Sequence, residues 1–192
     1  MKALPFPFCH VFVVFATMSV VFTSCNDSET QTMRGSERIN AYVQALASDA
    51  MQGRETGEEG EAIASAWIDS VFASKGLSTR GEVGSFQRFE YKPHPPMQMH
   101  GHGDSASLGM ALVQAITGKN VLYALPQEGM RWGVIGAHYD HLGYGDENSL
   151  FRGQPEIHNG ADDNASGVAG MLELSERFAQ SKQNKSLLFA AF

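Results

Sequence analysis

A histidine and an aspartate that follow one apolar run have the types and spacing of a metal site. His138 and Asp140 stand in residues 136–141 (GAHYDH), at the end of an apolar run at residues 132–137. An imidazole at the carboxyl end of a buried strand faces the crevice in which open α/β sheets bind ligands. Asp140 can accept the other ring N–H of His138, which fixes the tautomer and makes the metal-binding nitrogen more basic.

A second cluster contains two adjacent acids among small residues. Asp162 and Asp163 stand in residues 160–167 (GADDNASG), ahead of an expected helix whose positive N-terminal end favours anionic side chains. A helix cap explains the acids but not the glycine, alanine and serine around them. Small residues let backbone and helix approach closely, which leaves room for ions and substrate. We expect the imidazole of the first cluster and an acid of the second to point into a common pocket.

The elements that must position these clusters alternate between helices and strands, which predicts an α/β domain. Apolar spacing predicts the helices, and short apolar runs bounded by turn residues predict strands that are buried on both faces. Between them, the prolines and glycines of residues 93–118 indicate a connection with a short helix candidate at 108–116. The predicted helices are a first one capped by Ser36, then 58–75 and 164–179, and the predicted strands are 85–91, 121–125, 132–137 and 186–192.

The start of the chain is typical of an export signal. Lys2 is followed by an almost unbroken apolar run at residues 11–22, which is too short to span a bilayer. The sequence FTSC that ends at Cys25 is similar to a bacterial lipobox. Residues 1–24 are therefore predicted to be a lipoprotein-type signal peptide and 25–35 a flexible tether, with ordinary secretion as the alternative. We expect an exported protein, secreted or anchored by a lipid on Cys25 to a membrane that faces the periplasm or the cell exterior.

Composition limits the remaining possibilities. The chain has 192 residues, 43% of them hydrophobic, enough for one domain with a core of its own. Its net charge of -7 argues against binding nucleic acid, which requires a basic face. Cys9 lies in the predicted signal peptide, so a mature chain that begins at Cys25 has no disulfide.

The two clusters and their surroundings resemble a known enzyme family. GAHYDHLG, NGADDNASG and the strand KSLLFAAF are similar to segments of the co-catalytic dizinc exopeptidases, the metallopeptidase family that includes bacterial leucyl-type aminopeptidases. The upstream stretch ASDAMQGRETGEEGEAIASAWIDSVFASKGL resembles the family's opening segment, so the resemblance covers residues 39–192. It implies a three-layer α/β/α, phosphorylase/hydrolase-like catalytic domain over 36–192, incomplete at its C-terminal side.

The resemblance also implies roles for individual residues. His138 would bind one zinc ion, Asp163 would bridge two, and Asp140 would orient His138. An enzyme of this kind is an aminopeptidase that releases N-terminal residues from peptides by means of a hydroxide shared between the two zinc ions. The general-base glutamate and the remaining zinc ligands are expected beyond Phe192, so we expect the 192-residue chain to bind zinc weakly and to hydrolyse nothing.

Other acids and histidines near the motifs are predicted not to bind metal. Asp162 precedes the bridging acid and is not a ligand in the family pattern, and His141 and His158 flank the motifs. His100 and His102 lie between glycines in a poorly patterned stretch, where solvated side chains are the usual outcome.

Three other functions fit the same sequence. A glutaminyl cyclase has the same fold with one zinc ion, although the doubled acid fits the dizinc peptidases better. A carboxypeptidase or dipeptidase differs in residues expected beyond Phe192. A non-catalytic surface lipoprotein would keep the fold for binding, and apolar or basic residues after Phe192, in place of a Glu-Glu pair, would indicate it.

Overall fold

The computed structural model describes residues 34–92, 114–128, 131–145 and 149–192. The chain divides into two units, Met1–Thr32 and Met33–Phe192, and every described residue belongs to the second. The predicted signal peptide, Cys25 and most of the tether lie outside the described residues, and so do His100, His102 and most of the predicted connection.

Three helices form close to where the apolar spacing predicts them: α1 (Gly35–Leu46), α2 (Glu59–Ala73) and α3 (Ser166–Ala179). The N-terminal cap of α1 is Arg34, whose backbone N–H donates to the Glu37 carboxylate at 2.8 Å. The prediction that Ser36 caps this helix is therefore wrong, because Ser36 lies inside it. A separate single turn at Ala161–Ala165 precedes α3. Among the described residues, no helix is long and apolar enough to cross a membrane.

In the part of the chain that the structure describes, five strands form one mixed sheet. They are β1 (Ser78–Thr79), β2 (Phe86–Tyr91), β3 (Ile116–Leu125), β4 (Trp132–Ala137) and β5 (Ser186–Ala191). The order is β1-β3-β5-β4, with β2 also paired to β3. The helix candidate at 108–116 is wrong at Ile116, which pairs with Tyr91 instead, because β3 extends to meet the whole of β2.

A parallel β4–α3–β5 unit positions the candidate site. β4 and β5 run parallel, with Ala137 opposite Ala191, and α3 forms the connection between them. The first cluster therefore follows the carboxyl end of β4, and the second lies on the way into α3. Both lie at the same edge of the sheet, because the chain leaves β4 there and enters α3 before the helix carries it back to the opposite edge, where β5 begins.

The core lies between the three helices and one face of the sheet. Phe72 of α2 stacks on Tyr123 at a ring-centroid distance of 5.1 Å and packs against Phe189 at 6.0 Å. Helices on a mixed sheet confirm the predicted α/β class. The second helical layer of the three-layer arrangement is not among the described residues.

Burial of β4 on both faces, however, is not observed. Trp132 and Val134 are 52% and 68% exposed, because the described helices cover only the other face.

Candidate metal centre

His138 stands directly after β4 and is held by its neighbour. Its Nδ1 lies 3.0 Å from Oδ1 of Asp140, the contact in which a ring N–H at Nδ1 would donate to the carboxylate and leave Nε2 as the metal-binding nitrogen. The other oxygen of Asp140 accepts a hydrogen bond from the Thr56 hydroxyl at 3.1 Å. The predicted contact between His138 and Asp140 is therefore present, and Thr56 is a partner that the sequence did not indicate.

Asp163 reaches the opposite side of the same imidazole ring. Its Oδ1 lies 3.1 Å from Nε2 of His138, and its Oδ2 lies 3.9 Å from Nδ1 of His141. The side chains of His138 and Asp163 are 41% and 70% exposed, so the pair faces solvent. The structure thus brings the imidazole and the second acid of the doublet into contact, the arrangement expected for a common site.

Gly160 and Asn164 shape the loop around Asp163. Gly160 has a φ of +56°, and a Cβ there would lie 2.5 Å from the Asp163 carbonyl oxygen, so glycine is required. The amide of Asn164 donates to the His138 carbonyl at 3.3 Å and accepts from the Gly167 N–H at 3.0 Å. Asn164 therefore connects the end of β4 to the start of α3. The peptide bond between Asp163 and Asn164 is cis.

Beneath the exposed pair lies Arg54, whose side chain is fully buried. Its guanidinium donates to the carbonyl oxygens of Tyr139 at 2.6 Å, Asn159 at 2.7 Å and Gly160 at 3.0 Å, and also to that of Leu46. Burial lowers the pKa of Arg54, while the negative charges of Asp140 and Asp163 oppose that shift. The sequence identified Arg54 as part of a motif and gave no sign of this role.

Tyr139 anchors the first cluster on the other side. Its hydroxyl lies 2.9 Å from the Glu61 carboxylate and 2.6 Å from the Lys119 carbonyl oxygen, and both are acceptors for its proton. The Glu61 carboxylate also accepts the backbone N–H groups of Lys119 and Gly57, each at 2.8 Å. Burial, followed by the charge of Glu61, raises the pKa of Tyr139. Tyr139 remains a neutral donor, and the backbone between His138 and Asp140 is fixed from both sides.

The remaining candidates near the motifs have other partners. Burial, and then the charge of Arg54, lowers the pKa of His141, so its neutral form is favoured. His158 lies 2.6 Å from the hydroxyl of the buried Ser149 through Nε2, and its Nδ1 meets the Glu156 carbonyl at 2.9 Å. Their assignment as residues that do not bind metal stays a prediction.

The donors present fit part of a zinc site. An imidazole nitrogen and a carboxylate oxygen that converge on one point are ligand types that zinc prefers, and the His138–Asp140 contact is the orientation usual for a zinc-bound histidine. Within the described ranges, no group of three or more histidine, cysteine, aspartate or glutamate side chains could hold a metal ion. The described residues therefore supply two donors, fewer than the three protein ligands of a catalytic zinc.

Sequence comparison connects this region to a peptidase family. Residues 120–192 match the model of peptidase family M28, and they include both clusters. The family resemblance carried by the motifs is thereby confirmed. No curated protein matches the chain.

Solved structures share the fold. A glutaminyl cyclase from Fimbriiglobus ruber superposes with a TM-score of 0.58 at 19% identity, over 81% of this chain and 44% of its own. A Zn-dependent exopeptidase from Parabacteroides distasonis gives a TM-score of 0.58 at 17% identity, over 83% and 46%. A leucine aminopeptidase precursor from Bacteroides thetaiotaomicron gives 0.55 at 14% identity, over 82% and 46%. The chain thus spans less than half the length of each structure.

Proposed function

We infer that this chain, whose residues 120–192 carry the signature of peptidase family M28, supplies part of the active site of a zinc-dependent exopeptidase. Aminopeptidase activity on peptides is the reaction that we propose for the whole protein. The observation that supports this proposal best is the 3.1 Å approach of Nε2 of His138 to Oδ1 of Asp163. The two side chains come from separate motifs, 25 residues apart in the sequence, and both lie within the matched segment.

In the proposed site, each residue has one task. His138 would bind zinc through Nε2, with Asp140 orienting its ring. Asp163, whose Oδ1 lies 3.1 Å from Nε2 of His138, would be the carboxylate ligand shared by the ions. Bound zinc would supply Lewis-acid chemistry to a peptide carbonyl and to water. We propose no general base among the described residues and expect that group after Phe192.

Zinc binding by the 192-residue chain tests the metal site. We expect weak binding, measured by competition with a chelating dye after dialysis. The variants His138→Ala and Asp163→Asn should reduce it below detection, because each removes one of two donors. Asp162→Asn is the matched control, since Asp162 is the adjacent exposed acid and should leave the affinity within about twofold. Equal loss in Asp162→Asn and Asp163→Asn would refute the assignment, and tight binding of two ions would refute the need for further ligands.

A glutaminyl cyclase is the second candidate, since structures of such enzymes are as similar to this chain as the exopeptidase is. The DNA that follows codon 192 separates the catalytic candidates from a binding protein, because a Glu-Glu pair there supports an enzyme. A protein that includes the encoded continuation should then release nitroaniline from leucyl-p-nitroanilide. Cyclisation of glutaminyl peptides without such release would favour the cyclase instead.

Export and lipid anchoring are a separate proposal that rests on the sequence of residues 1–35. In a bacterial host, labelled fatty acid should be incorporated into the wild-type chain and not into Cys25→Ala. Labelling of both, or of neither while the chain is exported, would refute the anchor and leave the metal site unaffected.

A further inference from the structure

We propose that Arg54 is a positioning residue of the metal centre, whose buried guanidinium holds the loops that carry His138 and Asp163 in the arrangement that binds metal. The inference rests on the proposed function, since it concerns the same site. Arg54 bonds the backbone of the loops that carry His138 and Asp163, and it acts on these two side chains through that backbone.

The acceptors of Arg54 flank the two donors. The carbonyl of Tyr139, which accepts from Nε at 2.6 Å, belongs to the residue between His138 and Asp140. The carbonyls of Asn159 and Gly160 accept from Nη1 at 2.7 Å and Nη2 at 3.0 Å, and they begin the turn that leads to Asp163. One rigid planar group thus bonds both loops at once, and a relative shift of the loops would break these bonds.

The backbone of Arg54 contributes to the same connection. Its carbonyl accepts the His141 N–H at 3.1 Å, and the carbonyl of Gly53 accepts the Gly143 N–H at 3.0 Å. Gln52 and Arg54 have φ values of +49° and +53°, a conformation that side chains other than glycine rarely adopt. Such a conformation persists when its surroundings hold it in place. At Arg54, the hydrogen bonds from the guanidinium to the backbone carbonyls provide that support.

The choice of arginine follows from the geometry and the charge. Lysine has three donors on one atom and cannot span acceptors from separate loops, whereas guanidinium presents its donors in a fixed plane. The side-chain hydrogen bonds of Arg54 end on backbone carbonyls, and no carboxylate of the described residues is in direct contact with it to neutralise its charge. The positive charge therefore acts on the acids of the site, Asp140 and Asp163. Arg54 both orders the loops and attracts the side chains that they present.

The first test compares Arg54→Lys with Arg38→Lys in the metal-free chain. Arg38 bonds Glu173 at the interface of α1 and α3, so its variant reports the loss of a partly exposed, hydrogen-bonded arginine away from the site. The readout is the Nδ1 proton of His138 in nitrogen-15 NMR. We expect the bonded signal to disappear in Arg54→Lys and to remain in Arg38→Lys. A folded Arg54→Lys chain with the wild-type signal would overturn the proposal.

The second test is a Co²⁺ titration of the same chains. We expect Arg54→Lys to weaken Co²⁺ binding about tenfold, the usual cost of losing a residue that supports a metal ligand, and Arg38→Lys to leave it unchanged. Equal affinity in wild type and Arg54→Lys overturns the role of Arg54. Failure of the wild-type chain to bind Co²⁺ or Zn²⁺ would instead overturn the metal site, and the NMR comparison would still decide whether Arg54 positions the loops.

If Arg54→Lys does not fold, hydrogen exchange of the Arg54 Nε proton in the wild-type chain tests the proposal. Binding and positioning are reciprocal, so metal that favours the arranged loops must also stabilise the bonds of Arg54. At a free Zn²⁺ concentration ten times the dissociation constant, the exchange of the Arg54 Nε proton should slow about tenfold. Unchanged exchange on saturation with Zn²⁺ would contradict the proposal.

Discussion

Arg54 and Arg38 lie in two regions of the chain that use arginine in opposite ways. Arg38 of α1 donates from Nε at 2.8 Å and from Nη2 at 3.0 Å to the buried carboxylate of Glu173 on α3. Arg177 donates to the same carboxylate at 2.8 Å. Arg54, by contrast, donates to backbone carbonyls from the end of α1 and from two loops.

The difference follows from what each arginine joins. The backbone groups inside a helix bond one another, so α1 and α3 are joined through side chains. A carboxylate is the side-chain acceptor that binds an arginine most strongly. The loops around His138 and Asp163 lack periodic backbone bonds, so their carbonyls need donors from elsewhere. A guanidinium supplies these donors and keeps its charge for the acids of the site.

The largest expected effect is the loss of stability when Arg54, rather than Arg38, is replaced by methionine. Arg54→Met leaves several buried carbonyls without donors and should lower the free energy of unfolding by about 4 kcal/mol. Arg38→Met should cost about 1–2 kcal/mol, because Arg38 is partly exposed and Glu173 keeps Arg177 as a partner. Urea unfolding of both variants provides the measurement. Similar losses would show that bonds to loop carbonyls matter no more than a bond between helices.

A smaller effect is expected at the second anchor of the site. In Glu61→Gln, the new amide group must face one of the donors that the carboxylate accepts, namely Tyr139 O–H, Lys119 N–H or Gly57 N–H. The expected loss is about 2 kcal/mol in the free energy of unfolding, again by urea. Glu59→Gln, at an exposed position of the same helix, should change it by less than about 0.5 kcal/mol. A neutral Glu61→Gln would contradict the network.

The helix interface should respond to acid. The hydrogen bond from Arg38, followed by that from Arg177, lowers the pKa of Glu173 below its ordinary 4.5 in the folded state. The unfolded chain therefore binds the proton first, and this contribution to stability, complete above the ordinary pKa, is lost as the pH falls through the folded value. Thermal unfolding between pH 7 and pH 3 should show the stability difference between wild type and Glu173→Gln shrinking on acidification. A constant difference would contradict the shift.

The smallest expected effect concerns Thr56, which holds the outer oxygen of Asp140. Thr56→Val should cost about 0.5–1 kcal/mol in the free energy of unfolding and weaken Co²⁺ binding by less than about threefold. Asp140→Asn, which replaces the charged acceptor of His138 by a neutral amide, should weaken it about tenfold. A larger effect of Thr56→Val than of Asp140→Asn would show that Asp140 acts on something other than His138.

Local patterns in the sequence were enough to predict the α/β class, the helices α1 to α3, the strands β2, β4 and β5 and the second half of β3, because apolar periodicity is a local property. The sequence also pointed to His138 and the acid doublet, since a motif depends on residue types at short range. These residues could be named without a structure because the strand and helix that carry them are regular.

The groups that hold those residues in place could not be read from the sequence and follow from the fold. Arg54 and Tyr139 lie 85 residues apart, and Glu61 and Tyr139 lie 78 apart, so no local pattern reports their contacts. The sequence also could not predict that Trp132 and Val134 of β4 are exposed, since an apolar run does not tell which side of a sheet the helices cover. Local patterns reveal what a segment prefers, whereas the partner of a buried charge depends on which distant segments the fold brings together.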